Sequence, residues 1–336
     1  MSRPLDTGAL GARPLSIWAV SDGRAGIEAQ AVGLAEAVAR LVPAEIVVKR
    51  IGWPRWMRRL PSALNLAPLH LLAKGSDPIV PPWPDLWVAN GRAAIPLSIG
   101  VRRWSAGGSF VVQLQDPLRS SHRFDVVIPP HHDGLDGPNV FPITGTPHRV
   151  TPERLARELQ PFQARLDTLP RPHVAVLIGG KSRAFDLSPA RAQVLADEIG
   201  QAVGASGGSL LLTFSRRTPD DAKAILAQRL RALPGWLWDG EGANPYFAFL
   251  ATADHILVTE DSANMPTEAA ATGRPVHLLA MDGAQARKRR FHAELARLGV
   301  ARPFAGKLAN WTYPPLRETD RAAAEILRRM GRSVEG

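Results

Sequence analysis

Short apolar runs alternate with stretches of helical period along this chain, and a polar or glycine-bearing turn follows each run. Leu15 to Ser21 reads as the first strand, Asp22 to Gly26 as its turn, and Ile27 to Leu41 as a helix with apolar residues at 27, 31, 34, 35, 38 and 41. Strands are expected over Glu45–Lys49, Leu86–Ala89, Phe110–Leu114 and Asp125–Ile128, with a helix over Ala93–Trp104. Thr151 caps a helix that opens on Pro152 and runs to Leu169, ahead of the Pro-Arg-Pro at 170–172. The pattern then restarts. Strands are expected at Val174–Ile178, Leu210–Phe214, Ile256–Thr259 and Val276–Leu279, and helices at Pro189–Val203, Asp220–Leu233, Met265–Thr272 and Asp320–Arg329. Strands separated by helices imply parallel sheets with right-handed crossovers. The expected fold is α/β, with two such sheets in series. Residues 1–168 form the N-terminal domain and 169–315 the C-terminal one; 316–336 form a C-terminal helix packing back on the first domain.

The chain's 336 residues suffice for two such domains. No cysteine is present, which excludes disulfides and thiolate metal sites, and no His, Asp or Glu set has metal-ligand spacing. The net charge of +10 attracts phosphates, and the excess is almost all arginine. Nucleic acid is not the expected partner, because no basic run is interleaved with aromatics. No transmembrane helix or secretory signal is read, so the expected location is the cytoplasm. Trp53, Trp56, Met57, Leu60 and Leu64 recur at helical spacing among Arg50, Arg55, Arg58, Arg59 and Lys74. Residues 50–74 are therefore a candidate contact with an anionic membrane surface, placing the chain peripherally on its inner face.

Ligands of parallel sheets sit beyond the carboxyl ends of strands, so the loops there carry the candidate chemistry. In the first half these loops hold Asp22, Gly23, Arg24 and Gly26 with Gln30 behind them, then Asn90 and Arg92, then Gln115 and Asp116. None has the spacing of a dinucleotide fingerprint. Pro130 precedes His131, His132 and Asp133, where a neighbouring His and Asp offer an acid–base unit. In the second half, Gly179, Gly180, Lys181 and Ser182 combine small residues, a hydroxyl and a cation after a buried strand, which suits a diphosphate. Ser215, Arg216 and Arg217 add two guanidiniums suited to phosphate. Glu260, Asp261, Ser262, Asn264 and Met265 crowd the start of an Ala-rich helix, one turn into which Glu268 can accept two hydrogen bonds from a ribose diol.

Taken in order, SDGRAGIEAQ, NGR, QDP, PPHHD, ITGTPHR, the Gly-Gly loop, FSRRTP and VTEDSANMPTEAAATGRPV resemble the Elm-type mitochondrial fission protein family, over about residues 15 to 310. Glu260 and Asn264 depart from that pattern, where smaller residues are more usual. The family is similar to GT-B glycosyltransferases, including the MurG and lipid A disaccharide synthase groups, which implies two Rossmann-like domains facing a cleft. That resemblance implies a nucleotide-sugar donor on the C-terminal domain and an acceptor on the N-terminal one. It also implies a ribose-holding glutamate in an E-x4-G-x-P-like segment, which here runs from Glu268 through Gly273 to Pro275. The expected function is metal-independent transfer of a sugar from a nucleoside diphosphate to a lipid-linked or envelope acceptor, with no cofactor. Asp133 or His132 would be the base and Asp22 the reserve. The alternatives are a non-enzymatic membrane- or partner-binding protein, and a sugar-nucleotide epimerase.

Overall fold

The computed structural model describes residues 13–54 and 69–332. They form two compact units, and the chain passes between them several times. The first unit takes the described residues up to Ile128, then Gly137–Phe141, then the chain from Asp320. The second takes Pro129–Asp136 and Pro142–Thr319.

The first unit is built on strands β1 (Leu15–Ser21), β2 (Ala44–Arg50), β3 (Leu86–Asn90), β4 (Phe110–Leu114) and β5 (Val126–Ile128), with helices α1 (Ala25–Leu41) and α2 (Ile95–Trp104). All pairings are parallel, in the order β2-β1-β3-β4-β5. β1 and β3 are buried nearly throughout, as strands covered on both faces must be. The strand order reverses between β1 and β3, so the turns after these two strands flank the switch point.

The second unit adds α3 (Pro152–Leu159), α4 (Gln163–Leu166), β6 (His173–Ile178), β7 (Phe185–Asp186), α5 (Pro189–Ser206), β8 (Ser209–Phe214), α6 (Asp220–Leu230), β9 (Gly235–Leu237), α7 (Tyr246–Thr252), β10 (His255–Thr259), α8 (Asn264–Ala270), β11 (Val276–Leu279), β12 (Asp282–Gly283), α9 (Ala286–Arg297) and β13 (Ala301–Pro303). Six of these strands pair in parallel as β13-β11-β10-β6-β8-β9. Alternate residues sort to the two faces, Ala175 and Leu177 joining one apolar cluster and Val174, Val176 and Ile178 the other. β7 and β12 make a small antiparallel ribbon. The last helix, α10 (Glu318–Arg329), belongs to the first unit from Asp320 on; Arg40 donates to Asp320 at 2.6 Å, and Ala322, Ala323, Ile326 and Leu327 are fully buried.

The division differs from the boundary expected at 168/169. Segment 142–168 belongs to the second unit, because its first residues dock on α8 and α9 and α3 packs on α7. The single helix expected over Thr151–Leu169 breaks at Gln160–Phe162, where Pro161 cannot donate to the helical ladder. Thr151 does cap it, accepting from the Arg154 N–H at 3.1 Å.

Candidate functional site

In the second sheet the strand order reverses between β6 and β10, so the loops after them flank its switch point. Both loops converge on Asp261, whose side chain is fully buried. Its carboxylate accepts from the Thr259 hydroxyl at 2.8 Å, the Gly180 N–H at 3.3 Å and Arg217 Nη2 at 2.6 Å. The Gly179 N–H donates to Thr259 Oγ1 at 2.7 Å, the Lys181 N–H to the Arg217 carbonyl at 3.0 Å, and the Ser182 N–H to the Phe185 carbonyl at 2.9 Å. The four N–H groups of the loop expected to suit a diphosphate are thus engaged within the protein. The glycines have an internal reason too. A Cβ on Gly179 would lie 1.8 Å from Asp261 Oδ1, and one on Gly180 would lie 2.1 Å from the Arg217 carbonyl oxygen. Ser215 Oγ accepts from the Arg217 N–H, and Ser182 Oγ from the Ala184 and Phe185 N–H groups, so both hydroxyls shape their own turns. Lys181 pairs with Asp186 at 2.9 Å, while Arg216 is exposed and has no partner among the described residues.

Beside this knot, α8 presents Glu268. The Tyr246 hydroxyl donates to its Oε2 at 2.5 Å. Burial raises the Glu268 pKa to about 7, against the opposing pull of the Tyr246 hydrogen bond and of Arg154. Burial, then the Glu268 charge, likewise raises Tyr246 well above the usual phenol range. Arg154 stacks over the Phe247 ring at 4.3 Å, so α3 and α7 together wall the carboxyl group. Neither Tyr246 nor Arg154 was expected from sequence. Met265 packs on the core below; Ser262 Oγ accepts from the Asn264 N–H at 3.2 Å, and Thr146 donates to Asn264 Oδ1 at 3.2 Å. Gly145, at φ +77°, lets the backbone press on α8, where a Cβ would come 2.1 Å from Thr267 Oγ1.

His131, His132 and Asp133 form a short turn that belongs to the second unit, not to the N-terminal domain where His131 was expected. The turn is latched to α9. Arg287 clamps the Asp133 carboxylate, with Nη2 2.5 Å from Oδ2, and Arg290 donates twice to the His132 carbonyl, at 3.1 and 3.2 Å. The His132 ring packs on Phe291 with centroids 5.1 Å apart. Burial, then Arg287 and Lys288, lowers the His132 pKa to about 3. A carboxylate clamped by arginine and an imidazole that weakly basic are both poor proton acceptors, so the geometry offers neither as a base. Behind them, Glu260 accepts from the Met281 N–H at 2.7 Å and lies 3.9 Å from His292 Nδ1. Lys288 stands in the same cluster. Burial lowers its pKa to about 8, while Asp261 and Asp133 raise it and Arg287 and Arg217 lower it.

In the first unit, the switch point gathers three of the expected residues. Asn90 Nδ2 donates to Gln30 Oε1 and to the Ile27 carbonyl, each at 2.9 Å, and Gln115 Nε2 reaches the same Gln30 oxygen at 3.3 Å. Asn90 Oδ1 is buried without a partner among the described residues. Asp22 accepts from Arg24 Nε at 2.8 Å within its own turn, where Gly23 takes φ +76° and Gly26 is exposed. Arg92 is exposed, and Asp116 Oδ1 accepts from the Leu118 N–H. Of the basic–aromatic patch, Trp53 is buried and donates to the Ala93 carbonyl at 2.8 Å, and Arg50 pairs with Glu28. Arg55, Trp56, Met57, Arg58, Arg59, Leu60 and Leu64 lie outside the described residues. No described helix is long and apolar enough to cross a membrane.

The architecture has solved counterparts. UDP-GlcNAc 2-epimerase of Methanocaldococcus jannaschii, in complex with UDP-GlcNAc and UDP, superposes with a TM-score of 0.55 at 12% identity, over 94% of this chain and 99% of that one. MurG of Acinetobacter baumannii gives 0.46 at 14% identity, over 94% and 92%, too low to weigh. At such identities the likeness shows the fold alone, which is GT-B-like. Among sequences, the mitochondrial fission protein ELM1 of Arabidopsis thaliana is 30% identical over 74% of this chain, a match spanning 64% of the plant protein. An uncharacterized protein of Rickettsia prowazekii is 25% identical over 93% of this chain and 98% of its own. The family model described as mitochondrial fission ELM1 matches residues 25–330, and the chain belongs to that family.

Proposed function

We propose that the second unit binds a nucleoside-diphosphate sugar and that the chain is a glycosyltransferase-like protein, passing the sugar to a lipid-linked or envelope acceptor without metal or cofactor. The observation that carries this reading is Glu268: a carboxyl group one turn into the helix after β10, held by the Tyr246 hydroxyl on one oxygen. Its remaining lone pairs suit the two hydroxyls of a ribose. Asp133 and His132 are occupied by the latch to α9, and Asp22 is paired with Arg24 within its own turn, so none of the three is assigned as the base.

A thermal-shift screen of the full chain against UDP, GDP, CDP, ADP and their sugar conjugates tests the reading, since a ligand of the folded state raises its apparent stability. One diphosphate should stabilise wild type selectively, and Glu268→Gln should weaken it about tenfold, a change of about 1.4 kcal/mol. A screen with no shift at ~1 mM of any nucleotide rejects the reading. It would leave the non-enzymatic alternative, whose support is the name of the plant relative. The other alternative is a sugar-nucleotide epimerase, an activity that the M. jannaschii protein carries on the same fold. Conversion of a sugar nucleotide to its epimer with no acceptor present would select it.

A further inference from the structure

Helix α9 opens on Arg287, Lys288, Arg289 and Arg290, with no acidic residue in its first turn. A helix N-terminus is already the positive end of the macrodipole, so cations there oppose the local field unless an anion answers them. Two of the four are answered: Arg287 by Asp133 and Arg290 by the His132 carbonyl. Lys288 and Arg289 make no hydrogen bond or close ion pair among the described residues. Arg289 is exposed, but Lys288 is partly buried, one turn before His292 and within electrostatic reach of Asp261, Asp133, Arg287 and Arg217. The ribbon of β7 and β12 fixes the approach to this turn, Asp282 accepting from the Ser188 hydroxyl at 2.5 Å.

A second observation comes from the facing turn. The His132 side chain is 3% exposed, its Nε2 is 3.6 Å from Asp133 Oδ1, and its Nδ1 is buried with no partner among the described residues. A buried ring nitrogen left unpaired is unfavourable, and native structures retain such groups where something else satisfies them. An anion at the first turn of α9 meets both demands, neutralising Lys288 and accepting a hydrogen bond from the His132 ring. The density of positive charge and the free helix N–H groups favour a multiply charged group over a carboxylate.

We propose that the first turn of α9 is a phosphoryl-binding site, with Lys288 its cation and His132 its buried donor. This deepens the nucleotide-sugar reading by moving the phosphate subsite from the Gly179–Gly180 loop, whose N–H groups are engaged, to α9. The test is calorimetric titration of inorganic pyrophosphate into the full chain at low salt. Wild type should bind with Kd near ~1 mM or tighter. Lys288→Met should weaken binding about tenfold, and Lys288→Arg, which keeps the charge, should restore most of it. Lys223→Met, on exposed α6, should change nothing. Equal affinity in wild type and Lys288→Met, or no wild-type binding at about 10 mM, overturns the proposal. Repeating the titration with UDP present separates the sources: competition assigns the site to the donor's diphosphate, and undiminished binding assigns it to a phosphate of the acceptor. Glu268→Gln should leave pyrophosphate affinity unchanged. If Lys288 governs pyrophosphate while Glu268 governs no nucleotide, the phosphoryl site stands and the nucleotide-sugar reading fails.

Discussion

Glu268 is pulled in two directions. Burial favours its neutral form and sets the pKa at about 7, while the Tyr246 hydroxyl and Arg154 favour the carboxylate. A ribose diol donates hydrogen bonds, so it selects the carboxylate. The Glu268 contribution to nucleotide affinity should therefore rise with pH through 7, by roughly tenfold between pH 6 and 8, and level off above. Glu268→Gln removes the titration, so its remaining pH dependence reports the ligand's own phosphate and Lys288, and the difference between the two profiles isolates the residue. Parallel profiles would show that Glu268 does not face the ligand. Tyr246→Phe removes a donor to the carboxylate, so it should move the wild-type midpoint upward. Glu268 was legible in the sequence through its spacing to Gly273 and Pro275. Tyr246 was not, because an aromatic within Tyr246–Leu250 reads as core, and its hydroxyl finds Glu268 only through the packing of α7.

At the scale of elements, the buried strands were the easiest to read. β1, β4 and β11 have the bounds that their apolar runs predict, because a strand covered on both faces needs an unbroken run. α9 was missed, since Arg287, Lys288, Arg289 and Arg290 dilute its period and only Phe291 and Leu295 are buried, and Lys288 went with it. Asp133 and His132 were visible as a motif, but their partners lie more than 150 residues away, so sequence could not show that the turn is a latch. The glycine-bearing loops were visible as well, but sequence could not separate ligand approach from tight internal packing. Alanine substitution measures that packing. Gly75 sits at φ +87° with no described residue near its missing Cβ, so Gly75→Ala should cost only about 1 kcal/mol of backbone strain. Gly145→Ala adds to comparable strain a contact 2.1 Å from Thr267 Oγ1, which pushes against α8. It should cost at least about 3 kcal/mol in chemical denaturation. Similar losses for the two variants would mean that segment 142–148 does not dock on α8.

For the molecule as a whole, the two units should answer acid differently. His132, His277 and His292 all lie in the second unit, with pKa values lowered chiefly by burial to about 3, 4 and 4; His255 is lowered as well. Below pH 6.5 the unfolded chain protonates these rings while the folded chain does not, so stability falls with pH from about 6.5 down to about 4. Each ring contributes a loss on the order of 2 kcal/mol between pH 7 and 5. Glu268 acts oppositely: with its folded pKa raised to about 7, the folded state binds the extra proton in this range and offsets about one histidine. In the first unit, Arg328 leads in lowering Glu325 to about 2, and that carboxylate weakens the fold only below about pH 4.5, outside the interval. Hydrogen exchange of the full chain, corrected for intrinsic rates, reads the two units separately. Between pH 7 and 5, protection in β6, β10 and β11 should fall by a net ~2–4 kcal/mol while that in β1, β3 and β4 holds nearly constant. An equal fall in both units would mean that they open as one, and that the buried histidines do not set where acid first acts.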